Sequence, residues 1–348
     1  MLEYLTCGGS HSPKIAGIIS GLPSGLHVEP YFISSQLARR RTAPGRGKRQ
    51  MLEKEDFEII SGVDKNFVTD GSPVGIIMSN ASRLIPEDNI VRPSHADMPG
   101  FVKYGIKPWL ARERASARET AVRTALFCFT MRFVNELGIK IKSRVLSIAG
   151  QKSAKVNSLK DFFRKIEKKG LSAGGIFELR ASNLPVGIGS YARAEERLSY
   201  LLFSVLGSLN AVKGVEIGDG FSFDRAGGAC DEFTEKNGFW KISGNRCGGI
   251  NAGVSNGQDI VLRCAVKPLS GSPEGERSFN YLSAKSEKSF SLTSDISAVY
   301  PAAVVGEFLL SYVLAKAFLA KFGGDSMTEI KARVCSWRKI SCSKMKAR

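Results

Sequence analysis

The chain has 348 residues, of which 43% are hydrophobic and 24% are charged, as in an ordinary soluble globular protein of one large or two average domains. Its 50 Lys and Arg residues against 33 Asp and Glu residues give a formal net charge of +17, which favours anionic partners such as nucleic acid, anionic membranes or phosphorylated metabolites. The seven cysteines form no C-x-x-C pair, which favours reduced thiols over a disulfide framework or a zinc site and predicts a cytoplasmic location.

No signal for export or membrane insertion is visible. The N-terminus MLEYLTCGGSH lacks a basic segment followed by an apolar core. No run reaches the ~18 consecutive apolar residues of a spanning helix. We therefore expect no membrane partner.

The first eighty residues predict strands, one short helix and two loops that carry polar side chains. Residues 1–30 are typical of two strands joined by the glycine loop Cys7–Pro13, which is either a plain hairpin turn or a ligand loop containing His11. Ser34 or Ser35 is expected to cap a helix that ends in Arg39-Arg40-Arg41 and is followed by a basic loop. Arg40 and Arg46 are both expected to lie on this exposed basic segment. Phe57–Gly62 and Val74–Ser79 are predicted strands.

The stretch from Arg92 to Thr120 concentrates the residue types that bind anions and move protons. It holds His95, one of three histidines, and several Arg and Lys residues, and Ser116 stands near an expected helix start. Cations and the N–H groups of a helix N-terminus together bind anions, and a histidine beside them can transfer a proton at neutral pH. This stretch is predicted to form the floor of a pocket for a phosphorylated ligand.

The remainder alternates irregularly between helix and strand. Helices are predicted over residues 117–137, from Ser158 to about 170, 198–209 and 301–318, strands over 139–148, 174–181 and 258–266, and shaped loops over 210–220 and 248–257. We therefore expect an α+β fold, a β-α-β sandwich with long apolar core helices between mostly antiparallel sheets. Residues 1–330 are expected to form one domain, and residues 331–348 a basic tail that is mobile or a surface appendage.

Several other functions find no support in the motifs. The chain has no P-loop, no dinucleotide-binding fingerprint, no hydrolase elbow and no metal-binding histidine pattern, so no metal is expected. A basic nucleic-acid-binding protein is the rival that the net charge suggests. The arginine clusters lack interleaved aromatic residues, so no nucleic-acid partner is expected. His27, between Leu26 and Val28, is interpreted as structural.

Taken in order and with their spacing, eight groups of residues resemble chorismate synthase over about residues 4–320. They are Gly9-Ser10-His11, Arg39–Arg41 with Arg46, Ile60-Ser61-Gly62-Val63, Arg92-Pro93-Ser94-His95-Ala96-Asp97, Lys103-Tyr104-Gly105, Arg114 with Ser116-Ala117-Arg118-Glu119-Thr120, Asn210 through Phe221, and Lys267-Pro268. The resemblance implies a carbon–oxygen lyase of the shikimate pathway, which serves aromatic amino acid biosynthesis. Such an enzyme converts 5-enolpyruvylshikimate 3-phosphate to chorismate by 1,4-anti elimination of phosphate and a C6 hydrogen, and needs reduced FMN without net redox change.

The resemblance also implies roles for individual residues. By motif, His11 is similar to the acid near the departing phosphate, His95 to the donor that protonates the reduced flavin, and Asp295 to the carboxylate that works with flavin N5 on the C6 proton. Arg40 and Arg46 match arginines that bind the phosphate of the substrate or of NADP. The positions that match FMN contacts are Arg114, Ala115, Ser116, Asn210, Ala211, Ala252, Lys267, Pro268, Leu269, Ser270 and Gly271.

The sequence departs from the family pattern at three places. Thr293-Ser294 stands where the family has Arg-His, Arg112 to Ser116 replaces Gly-Gly-Arg-Ser-Ser, and Ala252 replaces a glycine. The change at Thr293-Ser294 motivates the alternative of a catalytically weakened FMN-binding relative. The family further implies a homotetramer, with the flavin reduced either by NADPH on the protein or by an external flavin reductase.

Overall fold

A computed structural model describes residues 1–47, 55–80, 87–153, 158–224, 227, 230–290 and 295–347. Its helices, numbered in chain order, are α1 (Pro30–Arg41), α2 (Asp97–Tyr104), α3 (Pro108–Ala115), α4 (Glu119–Glu136), α5 (Leu159–Glu167), α6 (Leu198–Gly207), α7 (Val299–Phe322) and α8 (Met327–Lys344). Its strands are β1 (Glu3–Cys7), β2 (Lys14–Ser20), β3 (Phe57–Ser61), β4 (Val74–Ser79), β5 (Lys140–Ile148), β6 (Gln151–Lys152), β7 (Gly175–Ser182), β8 (Val212–Ile217), β9 (Glu232–Lys236), β10 (Phe239–Ser243), β11 (Ile250–Asn251), β12 (Val254–Ser255), β13 (Ile260–Val266), β14 (Glu276–Phe279) and β15 (Ser286–Ser289).

Two antiparallel sheets form the outer layers. The first has the strand order β1-β2-β4-β3 and the second the order β6-β5-β7-β13-β8. The remaining strands form three separate antiparallel pairs, β9 with β10, β11 with β12 and β14 with β15. The hairpin predicted for residues 1–30 is present, with Leu5 opposite Ile18.

Helices α1, α4 and α7 lie between the two sheets. Helix α4 contacts strands β2 and β4 of the first sheet, helix α7 contacts β5 and β7 of the second, and the two helices pack on each other. Both are buried on most sides, because each has a sheet on one face and a helix on another. The predicted β-α-β sandwich is confirmed.

The helical layer is held by aromatic packing and by one buried polar pair. Tyr4 of the first sheet meets the ring of Phe127 edge-on at 4.8 Å, and Phe127 stacks on Tyr312 of α7 at 4.7 Å. The hydroxyls of Thr130 and Ser311 share a hydrogen bond of 2.8 Å, so neither is left without a partner in the core.

Helix α7 is long and apolar enough to cross a membrane by length and composition alone. It has 24 residues, and 83% of its most apolar window is buried inside the protein. Glu307, at its middle, accepts hydrogen bonds from Arg39 and from Ser143. These contacts are those of a core helix.

The expected bounds and types of three segments need correction. Helix α1 begins at Pro30, one turn before the predicted cap, because proline fits the first helical position without needing its missing N–H. The segment 210–220, expected to be a loop, contains strand β8, which pairs with β13. The boundary expected after residue 330 falls inside helix α8.

Helix α8 continues the fold past that boundary. Ser326 caps it by accepting a hydrogen bond from the N–H of Glu329, and Ile330 and Val334 are buried. Trp337 donates from Nε1 to the carbonyl of Val186 at 2.8 Å. Residues 331–344 are therefore a packed helix rather than a separate tail.

Candidate active site

The site is built around the junction of helices α3 and α4. Pro108 opens α3 at its first turn, and Ser116 is in an extended conformation after its end. The amide groups of Glu119, Thr120 and Ala121 donate to the carbonyls of residues 116–118. The expected anion site on this helix N-terminus is thus corrected, because those donors are already used and Glu119 adds a negative charge.

His11 is held by Glu113 of helix α3. Its Nδ1 lies 2.7 Å from Oε1 of Glu113, and its backbone N–H donates to Oε2 of the same carboxylate at 2.7 Å. Ser10 Oγ lies 3.0 Å from the same ring nitrogen. The His11 side chain is 24% exposed, so the ring is both fixed and reachable from solvent.

The glycine loop accommodates the Glu113 side chain. A Cβ at position 9 would lie 3.1 Å from Cβ and from Oε2 of Glu113, tighter than ordinary van der Waals contact. The loop is also joined to strand β4, because Asn80 donates to the carbonyls of Gly9 and Ser12. The two interpretations of this loop are therefore compatible: it is a hairpin turn shaped around a histidine–carboxylate pair.

His95 pairs with a carboxylate in a similar way, at the start of α2. Its Nδ1 lies 3.1 Å from Oδ1 of Asp97, which is completely buried. The other oxygen of Asp97 accepts from Arg112 Nε at 2.7 Å and from the N–H of Arg92 at 2.8 Å. Arg112 also forms a bidentate pair with Asp88.

The charge state of Asp97 follows from these contacts. Burial raises its pKa, but hydrogen bonds from His95 and from the Arg92 N–H and the charge of Arg112 outweigh burial, so the pKa lies below its ordinary value. Asp97 is an anion at neutral pH. Its Oδ1 can therefore accept a hydrogen bond from the Nδ1–H group of His95, and this bond orients the ring.

Arg40 is a buried structural cation rather than an exposed one. Its side chain is 3% exposed, and its nitrogens donate to Glu55, to the Thr120 hydroxyl and to the Ala117 carbonyl. Burial lowers its pKa to about 10, an effect that Glu55 opposes, so the group stays charged at neutral pH. The expected exposed position of this arginine was wrong, because the last turn of α1 packs under the start of α4.

Arg46 contacts the third predicted catalytic residue. Its Nη1 donates to Oδ2 of Asp295 at 2.7 Å, and the N–H of Gly47 donates to Oδ1 at 2.8 Å. Arg46 and Asp295 are 9% and 12% exposed. Besides burial and Glu55, the charge of Arg46 lowers the pKa of Arg40 and the charge of Asp295 raises it. These groups therefore form one cluster.

Arg118 connects this cluster to the His11 loop. It donates to Glu55, which also binds Arg40, and its Nε donates to Oδ1 of Asn80 at 2.9 Å. Asn80 in turn holds the loop that carries His11. The chain of contacts therefore links Asp295 and His11 to a single region of the fold.

Hydrogen bonds connect several of the positions that match FMN contacts, and one of these bonds reaches the His95 loop. Asn210 donates to the carbonyl of Ala115 at 2.9 Å, and the N–H of Lys267 donates to the carbonyl of Ala211. Lys267 Nζ donates to Ser270 Oγ at 2.8 Å, and Ser270 Oγ donates to the carbonyl of Ser94, next to His95, at 2.8 Å. Pro268, Leu269 and Gly271 belong to the same loop.

Ala252 lies elsewhere. It forms the turn between β11 and β12, where the neighbouring Gly253 carbonyl accepts from the N–H of Leu198 at the start of α6. Asn210 follows the other end of this ten-residue helix, about 15 Å away along its axis. Ala252 has φ of 49°, a conformation that favours the glycine of the family pattern.

The remaining predicted residues are placed as follows. Arg114 is exposed and donates to the carbonyl and hydroxyl of Thr6, and Ser116 Oγ accepts from the N–H of Arg118. Thr293 and Ser294, like Lys48 and Arg49, lie outside the described residues. His27 is half exposed and lies 4.0 Å from Glu29, with no contact to the site in the described part of the chain.

Two features of the site fit an anionic ligand. Nε of Arg46 is buried and has no hydrogen-bond partner among the described residues. Burial and the nearby charge of Lys213 lower the pKa of Lys267, although Glu276 opposes this effect. A phosphate would pair with the first group and offset the repulsion at the second, so the donors present fit FMN and a phosphorylated substrate.

Sequence reasoning missed residues that hold the histidines. Asp97 stands two residues after His95, and this spacing could have indicated the pair. Glu113 is remote from His11 in sequence, and nothing local in the sequence points to it. A cavity of about 570 Å³ near Val186, Trp240 and Arg338 contains none of the predicted site residues.

The fold brings together two histidine–carboxylate pairs and buried arginines, an arrangement typical of an enzyme site. A family model described as chorismate synthase matches residues 2–319. Chorismate synthases of Desulforudis audaxviator (strain MP104C) and Caldanaerobacter subterraneus subsp. tengcongensis are each 39% identical over 95% of this chain, covering 95% and 96% of those proteins. A crystal structure of chorismate synthase matches with a TM-score of 0.80 and 31% identity, over 98% of both chains.

The chain belongs to the chorismate synthase family. The expected fold and lyase class are thereby confirmed.

Proposed function

We propose that the protein is a chorismate synthase that eliminates phosphate from 5-enolpyruvylshikimate 3-phosphate in a 1,4-anti reaction. The observation that carries this proposal is the convergence of His11 and His95 on helix α3. Each ring is bonded through Nδ1 to a carboxylate, which leaves Nε2 to exchange a proton with a ligand. Membership of the chorismate synthase family indicates the substrate.

In this proposal each of four side chains transfers one proton or pairs with one charge. His11 donates a proton from Nε2 to an oxygen of the departing phosphate, which makes the phosphate a better leaving group. His95 donates from Nε2 toward the cofactor. Asp295, oriented by Arg46 and the N–H of Gly47, assists removal of the C6 proton. Arg46 pairs with this carboxylate through Nη1, and its Nε, which has no partner among the described residues, is assigned to the substrate.

The loop at Lys267–Gly271, together with Ala115, Ser116, Asn210 and Ala211, would hold FMN. When bound, reduced FMN supplies the N5 atom that shares in removal of the C6 proton. Lys267 would bind phosphate through Nζ, which donates to Ser270 in this structure, and Ser270 connects this loop to the His95 loop. We assign Arg40 to holding the site together, since all its nitrogens are used within the protein.

The finer properties are also proposals. We propose a cytoplasmic homotetramer in which the flavin is reduced by NADPH or by an external flavin reductase. Light scattering of the purified protein tests the tetramer, and flavin reduction by NADPH alone, measured anaerobically, separates the two reductants. A weakened FMN-binding relative is the lesser alternative, and would bind FMN without turnover.

Substitution of the three proposed catalytic residues tests the mechanism. His11→Ala, His95→Ala and Asp295→Asn should each lower kcat by about 10²–10⁴-fold, the usual contribution of a general acid or base. His27→Ala is the matched control and should leave kcat unchanged, since this histidine is half exposed and away from the site. Equal loss of kcat in His27→Ala and His95→Ala would refute the assignment.

A further inference from the structure

Glu113 contacts the proposed catalytic residue His11 through its side chain. The family pattern has glycine there, whereas this chain has a glutamate 12% exposed. Both of its oxygens contact His11: Oε2 accepts from the His11 backbone N–H, and Oε1 lies against the ring Nδ1, each at 2.7 Å. Such two-point contact fixes the loop and the ring together.

Ser10 makes two further contacts between this loop and Glu113. The backbone N–H of Ser10 donates to the Glu113 carbonyl at 3.1 Å, and Ser10 Oγ lies 3.3 Å from Oε1. Glu113 lies so close to Gly9 that a Cβ at position 9 would be in tight contact with its side chain. Residues 9–11 are therefore fitted to Glu113 by backbone, side chain and shape.

We propose that Glu113 is a positioning residue for His11, a role that rests on the proposed function of His11 as the acid. A carboxylate at Nδ1 keeps a proton on that nitrogen and fixes the ring orientation, as the buried aspartate does in serine proteases. Nε2 is then the nitrogen that meets the substrate. No described residue forms a hydrogen bond with Nε2 of His11. The contacts at Nδ1 alone therefore fix the direction in which Nε2 points.

The first test does not need activity. The protein has three histidines, so ¹⁵N-histidine NMR gives three pairs of ring nitrogen signals, and His11→Gln identifies the pair that belongs to His11. In the protein without ligands, the His11 Nδ1 should be protonated and hydrogen-bonded. Glu113→Ala should remove that signature and leave those of His27 and His95. An unchanged His11 signal in Glu113→Ala would overturn the proposal.

The second test asks whether Glu113 acts through His11. Glu113→Ala should fold, since alanine favours helices, and should lower kcat about tenfold with little change in KM, less than loss of a general acid itself. In a His11→Ala background the same substitution should have no further effect. Equal reductions in both backgrounds would contradict the proposal.

A control and an activity check separate this proposal from the proposed function. Glu136→Ala removes another helical glutamate, one paired with Lys331, and should leave kcat and the His11 signal unchanged. If the wild-type protein shows no turnover, the proposed function fails. The NMR comparison then still decides whether Glu113 sets the His11 ring, and no change there refutes this inference separately.

Discussion

At the scale of residues, Arg40 and Glu55 form a pair in which both side chains are 3% exposed. Removing one partner of a buried ion pair leaves the other charge without compensation, which costs about 3 kcal/mol or more. Arg40→Ala should therefore lower the free energy of unfolding, measured in urea, by about 3 kcal/mol. Arg193→Ala, which removes a 69% exposed arginine, should change it by less than about 0.5 kcal/mol. Equal stability of the two variants would show that Arg40 is not structural.

Asp97 gives the site a dependence on pH. Its pKa in the folded protein lies below the unfolded value of about 3.9, so it stabilises the fold above that pH. This stabilisation is lost as the pH falls through the lower, folded pKa. The melting temperature of Asp97→Asn should be reduced at pH 7 and should change less than that of the wild type on acidification below about pH 4. Asp161→Asn, an exposed control, should show the same dependence of melting temperature on pH as the wild type. If Asp97→Asn also shows the wild-type dependence, this account is contradicted.

Sequence could predict the histidines but only some of their partners. His11 and His95 stand out because they are rare and follow Ser in loops, and Asp97 is close enough to His95 to be suspected. Glu113 and Arg46 meet His11 and Asp295 only through the tertiary fold. Exposure is also a tertiary property: Arg40 belongs to a basic run, yet its helix turns it under α4.

At the scale of elements, periodic apolar helices and alternating strands were predictable, whereas their ends and the C-terminal segment were not. Helix α4 matches its prediction closely because its apolar residues have a clear period. Residues 331–344 are basic and were expected to be a tail, but their helix has a Ser326 cap and a narrow buried stripe. A few well-placed apolar side chains are enough to dock a helix that is mostly charged.

Trp337 should account for much of the docking of helix α8. It is partly buried, donates to the Val186 carbonyl, and its ring lies 3.6 Å from Nζ of Lys321. Trp337→Ala should lower the free energy of unfolding by about 2 kcal/mol through lost packing and one lost hydrogen bond. Lys339→Ala, an exposed change on the same helix, should be neutral in the same urea titration. If Trp337→Ala is equally neutral, this segment is not part of the cooperative fold.

At the scale of the whole molecule, two sheets cover a helical layer, and one end of that layer carries the site. Helices α3 and α4 bring the loop after β1, the segment before α2 and the end of α1 together. The net charge of +17 is consistent with a ligand set of phosphates. The two cations that we propose for those phosphates, Arg46 and Lys267, each have a partner within the protein.

The most direct test of this account is anaerobic turnover of 5-enolpyruvylshikimate 3-phosphate by the purified protein with reduced FMN. We predict stoichiometric release of chorismate and inorganic phosphate, with FMN still reduced at the end. FMN that shows a perturbed spectrum with substrate but gives no product would indicate the weakened relative. Absence of both product and any flavin spectral change would contradict the proposed function.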